Sequence, residues 1–282
     1  MARVTILGCG GSAGVPQIGG TDGRGDWGAC DPAEPRNRRT RSSIVIQSDT
    51  GERLLVDTSP DLRQQLIACG VPKVDAILFT HAHADHVLGI DDVRILNRLI
   101  NRPLDAFATA RTLAELDRRF DYAFKPWADT YFFRPVLVPR EIAVGDVVEA
   151  AGLRVQVFEQ DHGFMPTLGL RVGNFGYSTD VAVLDDAAFK ALAGVDTWVV
   201  DCFQRRSHKT HANVDQVIAW AERLQPRRVV LTHMGYDVDW AWLKSRLPSH
   251  IEPGHDGMEL EITEAHDSFH NMHYVTGGRE AK

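Results

Sequence analysis

No apolar run in this sequence reaches the roughly 18 residues that a membrane-spanning helix needs, and the stretch after Met1-Ala2-Arg3 is too short for a signal peptide. Cysteine is scarce: Cys9, Cys30, Cys69 and Cys202 lie scattered, without a C-x-x-C pair. Together these absences predict a cytoplasmic protein with no membrane association. Basic residues are also in deficit. The 31 Lys and Arg against 38 Asp and Glu leave a formal charge of -7, which argues against broad nucleic-acid or membrane-surface binding. Internal repeats and low-complexity tracts are missing. The glycine-rich segment Gly8-Cys9-Gly10-Gly11-Ser12-Ala13-Gly14 has no Gly-Lys-Ser/Thr ending, so it reads as a tight turn near the active face rather than as a nucleotide loop.

What remains is ample for one large core. With 282 residues and 44% hydrophobic composition, the chain is expected to form a single hydrolase domain over residues 1–262. Residues 263–282, polar and containing Gly277-Gly278, read as a flexible tail. Short β-branched runs predict strands at Val4 to Leu7, Ser43 to Gln47, Arg53 to Val56, Ala76 to Phe79, Leu153 to Phe158, Asn174 to Tyr177, Thr197 to Val200 and Arg228 to Leu231. Helical periodicity appears at Asp61 to Cys69, His86 to Leu99, Thr112 to Arg119, Asp185 to Leu192, Val214 to Leu224 and Val238 to Leu247. Strands paired early and alternating with helices later fit a sheet-rich α/β sandwich better than a Rossmann alternation.

Ligand-type residues collect where the strands end. Asp57, His81, His162, Asp180, Asp201 and His233 each follow an apolar run directly or within a few residues, and loops at one edge of a rigid sheet can converge on one pocket. The densest cluster is His81-Ala82-His83-Ala84-Asp85-His86. In an extended loop residues two apart point the same way, so His81 and His83 can grip one ion while Asp85 and His86 turn toward a second. Imidazole and carboxylate are ligands for zinc and for manganese alike.

The order His81, His83, Asp85, His86, then isolated His162, Asp180 and His233, resembles the metallo-β-lactamase fold family over nearly the whole chain. That resemblance implies a four-layer α/β/β/α sandwich and two divalent ions, zinc or manganese. The first ion would take His81, His83 and His162, the second Asp85, His86 and His233, with Asp180 bridging both. Asp57 would match the buried carboxylate that orients a ligand histidine. The bridging Asp resembles the phosphodiesterase and ribonuclease Z branches more than the true β-lactamases. Gly8 to Pro16, Leu231-Thr232-His233, Gly254 to Glu259, and Asp201-Cys202 followed by His211 resemble the phosphonate-pathway cyclic phosphodiesterases. Those relatives carry a cysteine cluster holding a structural zinc, whereas this chain offers only Cys30 there, so no third metal is expected. A Gly-rich tRNA-binding arm of the ribonuclease Z kind is not evident.

The expected activity is hydrolysis of a small cyclic or nucleotide-like phosphodiester by a hydroxide bridging the two ions. Asp85 and His211 are the expected catalytic residues, with His211 as proton donor to the leaving alkoxide and His208 as its competitor. Arg39, Arg41 and His208 are candidates for substrate phosphate, within basic groups that also include Arg36, Arg38, Arg205, Arg206 and Lys209. An ion-pairing role on the acidic surface is the alternative for the arginines. Two other readings stay open: hydrolysis of a lactone or thioester, and a non-catalytic accessory role like that of the pyrroloquinoline quinone biosynthesis proteins. A homodimer is compatible with all three.

Overall fold

The computed structural model describes residues 1–128 and 131–263; the expected tail therefore lies, but for Thr263, outside the described residues. In chain order the strands are β1 (Ala2–Gly8), β2 (Ser43–Gln47), β3 (Arg53–Val56), β4 (Ala76–Leu78), β5 (Leu104–Ala108), β6 (Leu137–Glu141), β7 (Val147–Ala150), β8 (Leu153–Asp161), β9 (Pro166–Val172), β10 (Phe175–Ser178), β11 (Thr197–Asp201), β12 (Arg228–Thr232), β13 (Ile251–Pro253) and β14 (Glu259–Ile262). They form two seven-stranded mixed sheets, ordered β14-β1-β2-β3-β4-β5-β6 and β13-β12-β11-β10-β9-β8-β7. Helices cover the outer faces. This is the expected α/β sandwich.

Period-two burial explains the layering. Along the first sheet Ile44, Ile46, Leu54, Val56, Ala76 and Leu78 point into the core shared with the second sheet. Their neighbours Val45, Leu55 and Ile77 pack outward against the helices carrying Leu62, Leu66, Val93 and Leu116. A strand buried on both faces reads as a continuous apolar run, as these do. Each fully buried Ile, Leu or Val contributes about 1.5–3 kcal/mol of transfer free energy. Among the described residues no helix is long and apolar enough to cross a membrane.

All eight expected strands are present, and the differences have local causes. The expected helix His86 to Leu99 is broken into Ala84–Val87, a 3-10 turn Leu88–Asp92 and Val93–Ile100. At Gly89 a Cβ would sit 2.1 Å from the Ser59 carbonyl oxygen, so the chain passes too close to the loop after β3 for a regular helix with a side chain. Strand β6 escapes sequence reading because Pro139 interrupts it; at the sheet's edge the missing N–H is tolerated. Strand β9 is hidden by Gly169, which lies opposite Phe158, whose ring fills the space a side chain would need.

What positions the site is strand direction. Strands β3 and β4 run parallel, as do β10, β11 and β12. Two antiparallel steps through β9 give β8 the direction of β10. The ends of these strands bear Asp57, the His81 loop, His162, Asp180, Asp201 and His233.

Candidate metal centre

Three of these strand ends turn through the left-handed region: Asp57 at φ 63°, Asp180 at φ 52° and His233 at φ 53°. Asp tolerates this conformation better than most residues, yet such positions cost on the order of 1–3 kcal/mol and persist only where the surroundings enforce them. All three side chains are buried. The loop between them and β4 is braced from the helix Ala110–Phe124: Arg119 Nη1 donates to the Ala82 carbonyl at 2.5 Å, between His81 and His83, while Glu115 holds the same guanidinium.

The expected ligands meet in two groups. His81, His83, His162 and Asp180 form one; Asp85, His86, Asp180 and His233 form the other, and within each group the ligand atoms lie within 4.8 Å of one another. Asp180 belongs to both. Its Oδ2 lies 3.1 Å from His86 Nε2, and its Oδ1 lies 3.4 Å from His233 Nε2 and 3.8 Å from the Nε2 atoms of His81 and His162. Thr179 Oγ1 donates to Oδ2 at 2.6 Å, and Thr167 Oγ1 donates to the Asp180 carbonyl.

A hydrogen-bond chain behind the ligands fixes which ring nitrogen faces inward. Asp57 accepts the Thr80 N–H and the Thr80 hydroxyl, each at 2.8 Å, and lies 2.7 Å from His86 Nδ1. Since Thr80 spends its one hydroxyl proton on Asp57, it accepts from His81 Nδ1 at 3.0 Å. His162 Nδ1 donates to the Thr210 carbonyl at 2.6 Å. One carboxylate and one carbonyl thus hold three imidazoles with Nε2 toward the centre, the arrangement that raises ligand basicity. The Nε2 atoms of His81, His86 and His233 are buried and make no hydrogen bond of sound geometry. Buried orphan nitrogens are costly, and converging lone pairs fit a divalent cation.

The electrostatics agree. Burial alone would raise the Asp180 carboxyl, but His233, His86 and His81 outweigh it and hold it well below the usual range. Burial likewise opposes the charge on Asp85, yet His86 and His233 hold it low. Burial would lower His233, but Asp180, Asp85 and Asp201 push it up to about 9. His81 is pushed down chiefly by burial.

Beside the two groups stands a dyad that extends the sequence expectation. His211 Nδ1 lies 2.8 Å from Asp201 Oδ2, and the same oxygen accepts the Val181 N–H at 3.0 Å. The His211 ring stacks on His233 at 4.6 Å and sits 4.7 Å from His162. Asp201, His211 and His233 form a third group of ligand-type atoms, in which Asp201 Oδ2 and His211 Nδ1 are engaged with each other while Asp201 Oδ1 and His233 Nδ1 are buried without a hydrogen-bond partner. His208 is exposed, with its Nδ1 engaged by Thr210, and its ring lies 5.3 Å from His211.

One sequence reading changes, and one residue of the site went unread. Arg39 is not available to a substrate: it is 2% exposed, and its guanidinium donates to the Gly235 and Val238 carbonyls and to Asn37 Oδ1. It ties the opening loop to the segment after His233. Phe203, unremarked in the sequence, packs 4.8 Å from His211 and 5.9 Å from His233. A Cβ on Gly11 would lie 2.8 Å from that ring, so the opening glycines serve as the expected tight turn over the site. Cys30 is buried beneath the Tyr236 carbonyl, and among the described residues no ligand group contains a cysteine.

Comparison with known proteins agrees with this geometry. The β-lactamase superfamily domain matches residues 52–234. An octanoyltransferase of Porphyromonas gingivalis is 30% identical over 98% of this chain, which spans only 57% of that protein's length. A ribonuclease Z of Mycobacterium sp. (strain KMS) is 27% identical over 81% of this chain and 92% of its own. The structure of a diphosphatase from the PhnP family superposes with a TM-score of 0.84 at 32% identity, covering 95% of this chain and all of that one.

Proposed function

The chain belongs to the metallo-β-lactamase superfamily, and on that premise we propose that it is a phosphodiesterase acting with two divalent ions, zinc or manganese, on a small cyclic or nucleotide-like phosphodiester in the cytoplasm. The observation that carries the reading is the Asp180 carboxylate, set among four imidazole Nε2 atoms at 3.1–3.8 Å and shared by both ligand groups. Bound divalent ions supply an activated water at neutral pH and neutralise charge on the phosphoryl oxygens.

This chain's own residues do the rest. Asp57 and Thr210 keep His86, His81 and His162 in the tautomer that faces the ions. Asp85, held ionised, takes a ligand place and orients the attacking water. His211 hands a proton to the leaving alkoxide from Nε2, because Asp201 holds Nδ1; a positioned acid contributes about 100-fold to 10,000-fold. His208 flanks it and contacts the departing group. The diphosphatase and ribonuclease Z relatives support phosphorus over carbon as the electrophile.

The octanoyltransferase relative favours a second reading, an acyl ester or thioester as substrate, but 43% of that protein's length has no counterpart here. The test is turnover by the metal-loaded protein. Hydrolysis of bis(p-nitrophenyl) phosphate is the expected result; activity confined to lactones or thioesters would replace the proposal with the second reading, and bound metal without hydrolysis of any ester would leave an accessory role.

A further inference from the structure

Exposed aliphatic side chains gather on the outer face of the first sheet. Ile67 is 67% exposed on the helix Leu62–Ala68, and Ile95 and Leu99 are 43% and 62% exposed on the helix Val93–Ile100. Between the two helices lies an apolar groove of about 450 Å³, lined also by the buried Leu66 and Leu96. Apolar residues exposed singly are ordinary, whereas a contiguous apolar strip with a polar rim marks a contact surface.

The rim of this groove carries one charge of each sign, Arg63 on the first helix and Asp92 at the start of the second. Neither side chain makes a hydrogen bond or ion pair with a described residue. Arg98, Lys73 and Arg102, which border the same helices, are engaged: Arg98 donates to the Phe132 carbonyl at 2.6 Å and covers the Tyr131 ring, and Lys73 and Arg102 each lie 3.5 Å from Asp75. An acid and a base are thus left over on opposite sides of an apolar strip.

Strand direction fixes how they stand. Strands β3, β4 and β5 are parallel, so the helices that return the chain from β3 to β4 and from β4 to β5 both run against the strands and parallel to each other. Arg63, in the first turn of one helix, and Asp92, at the start of the other, therefore share one level of the groove. Ile67 stands one turn further along, level with the stretch from Ile95 to Leu99. A twofold axis laid along the groove exchanges the two helices between copies: Arg63 of each copy meets Asp92 of the other, and Ile67 meets Ile95 and Leu99. Isologous association needs a surface that is complementary to itself in this way.

We propose that this groove is the interface on which two copies of the chain associate, with the twofold axis along it and Arg63 of each copy paired with Asp92 of the other. The 3-10 turn that ends at Asp92 follows directly on the segment bearing Asp85 and His86, so the interface abuts the candidate ligand loop.

Sedimentation velocity of the full chain over a range of concentrations tests it. Wild type should sediment at twice the monomer mass at micromolar concentration. Ile95→Lys acts twice across the axis and should raise the dimer Kd by at least about tenfold. Arg63→Asp alone sets acid against acid at both rims, and Asp92→Arg alone sets base against base, so each should weaken association by at least about tenfold. Mixed in equal amounts, the two charge variants should associate with each other at close to wild-type affinity, because both cross-axis pairs are rebuilt with their signs exchanged. That rescue requires both variants to be folded and position 63 to face position 92 across a twofold axis. A monomeric wild type would overturn the proposal and leave the groove to residues 264–282 or to another protein. A dimer indifferent to Ile95→Lys, charge variants that associate like wild type, or variants that fail to rescue each other on mixing would also overturn it.

Discussion

Replacing Asp57 by Ala isolates the carboxylate on which the ligand loop depends. It accepts the Thr80 N–H, the Thr80 hydroxyl and the His86 Nδ1–H in a fully buried environment. The hydroxyl can rotate to another acceptor; the other two donors cannot. Each buried donor left unpaired costs about 1–3 kcal/mol, so the metal-free variant should lose about 2–6 kcal/mol. That is a large share of the roughly 5–15 kcal/mol that holds a domain folded. Urea unfolding of the metal-free protein reads it as a fall in the midpoint at unchanged m-value. A companion variant separates backbone from carboxylate. Asp57 sits at φ 63°, where Gly is at ease and Ala pays about 1–2 kcal/mol, so Asp57→Gly should be the milder by about that amount. In both, freed His86 and His81 rings should weaken metal binding by about 10- to 100-fold in a chelator competition. Losses below about 1 kcal/mol with unchanged metal affinity would refute the reasoning and make Asp57 a bystander.

Elemental analysis after zinc or manganese loading should find two ions per chain, and Asp180→Ala should deplete them more than His81→Ala does, because only Asp180 belongs to both groups; equal, mild depletion would show that it does not bridge. His211→Ala should keep its metal yet lose kcat, heavily with an alkoxide leaving group and slightly with p-nitrophenolate, which needs no proton; equal losses on both would reassign His211 to phosphate binding. His233, pushed up to about 9, carries a proton at neutral pH in the metal-free protein. An ion must displace that proton, and the proton is lost as pH rises through about 9, so metal affinity should climb toward that pH with proton release visible in calorimetry across buffers of different ionisation enthalpy. An affinity flat over that interval would contradict it.

The candidate ligand cluster was legible because it obeys a local rule: an apolar run, then a residue with a lone pair. His81, His162, Asp180 and His233 all follow it; the strands before His81, Asp180 and His233 are buried on both faces, which makes the run continuous, whereas the strand before His162 alternates buried and exposed residues. Asp201 obeyed the same rule, but its service to His211 depends on a turn ten residues long that brings the two side chains to 2.8 Å, and no spacing announces that. Arg39 and Arg41 look alike in sequence. What separates them are carbonyls some 200 positions away in one case and an aspartate twenty away in the other. Phe203 was invisible for the same reason: its role is set by Gly11 and His233 arriving from opposite ends of the chain. In the fold, the edge strand with Pro139 and the glycine-bearing β9 concealed themselves because pairing, not composition, decides them.

The two sheets divide the candidate ligands and their supporting carboxylates between them. Asp57 and the loop from His81 to His86 hang from the first sheet, while His162, Asp180, Asp201 and His233 hang from the second. Neither half holds a complete coordination sphere, so an ion seated there acts as a rivet through the seam of the sandwich. Sliding one sheet over the other would shear the sphere, and repacking a residue deep between them, such as Tyr177 or Leu170, would be felt at the rivet as a change of spacing. In this architecture the accuracy of the site is a mechanical property of the whole inter-sheet core, and a cation bound there would fasten the two leaves in register.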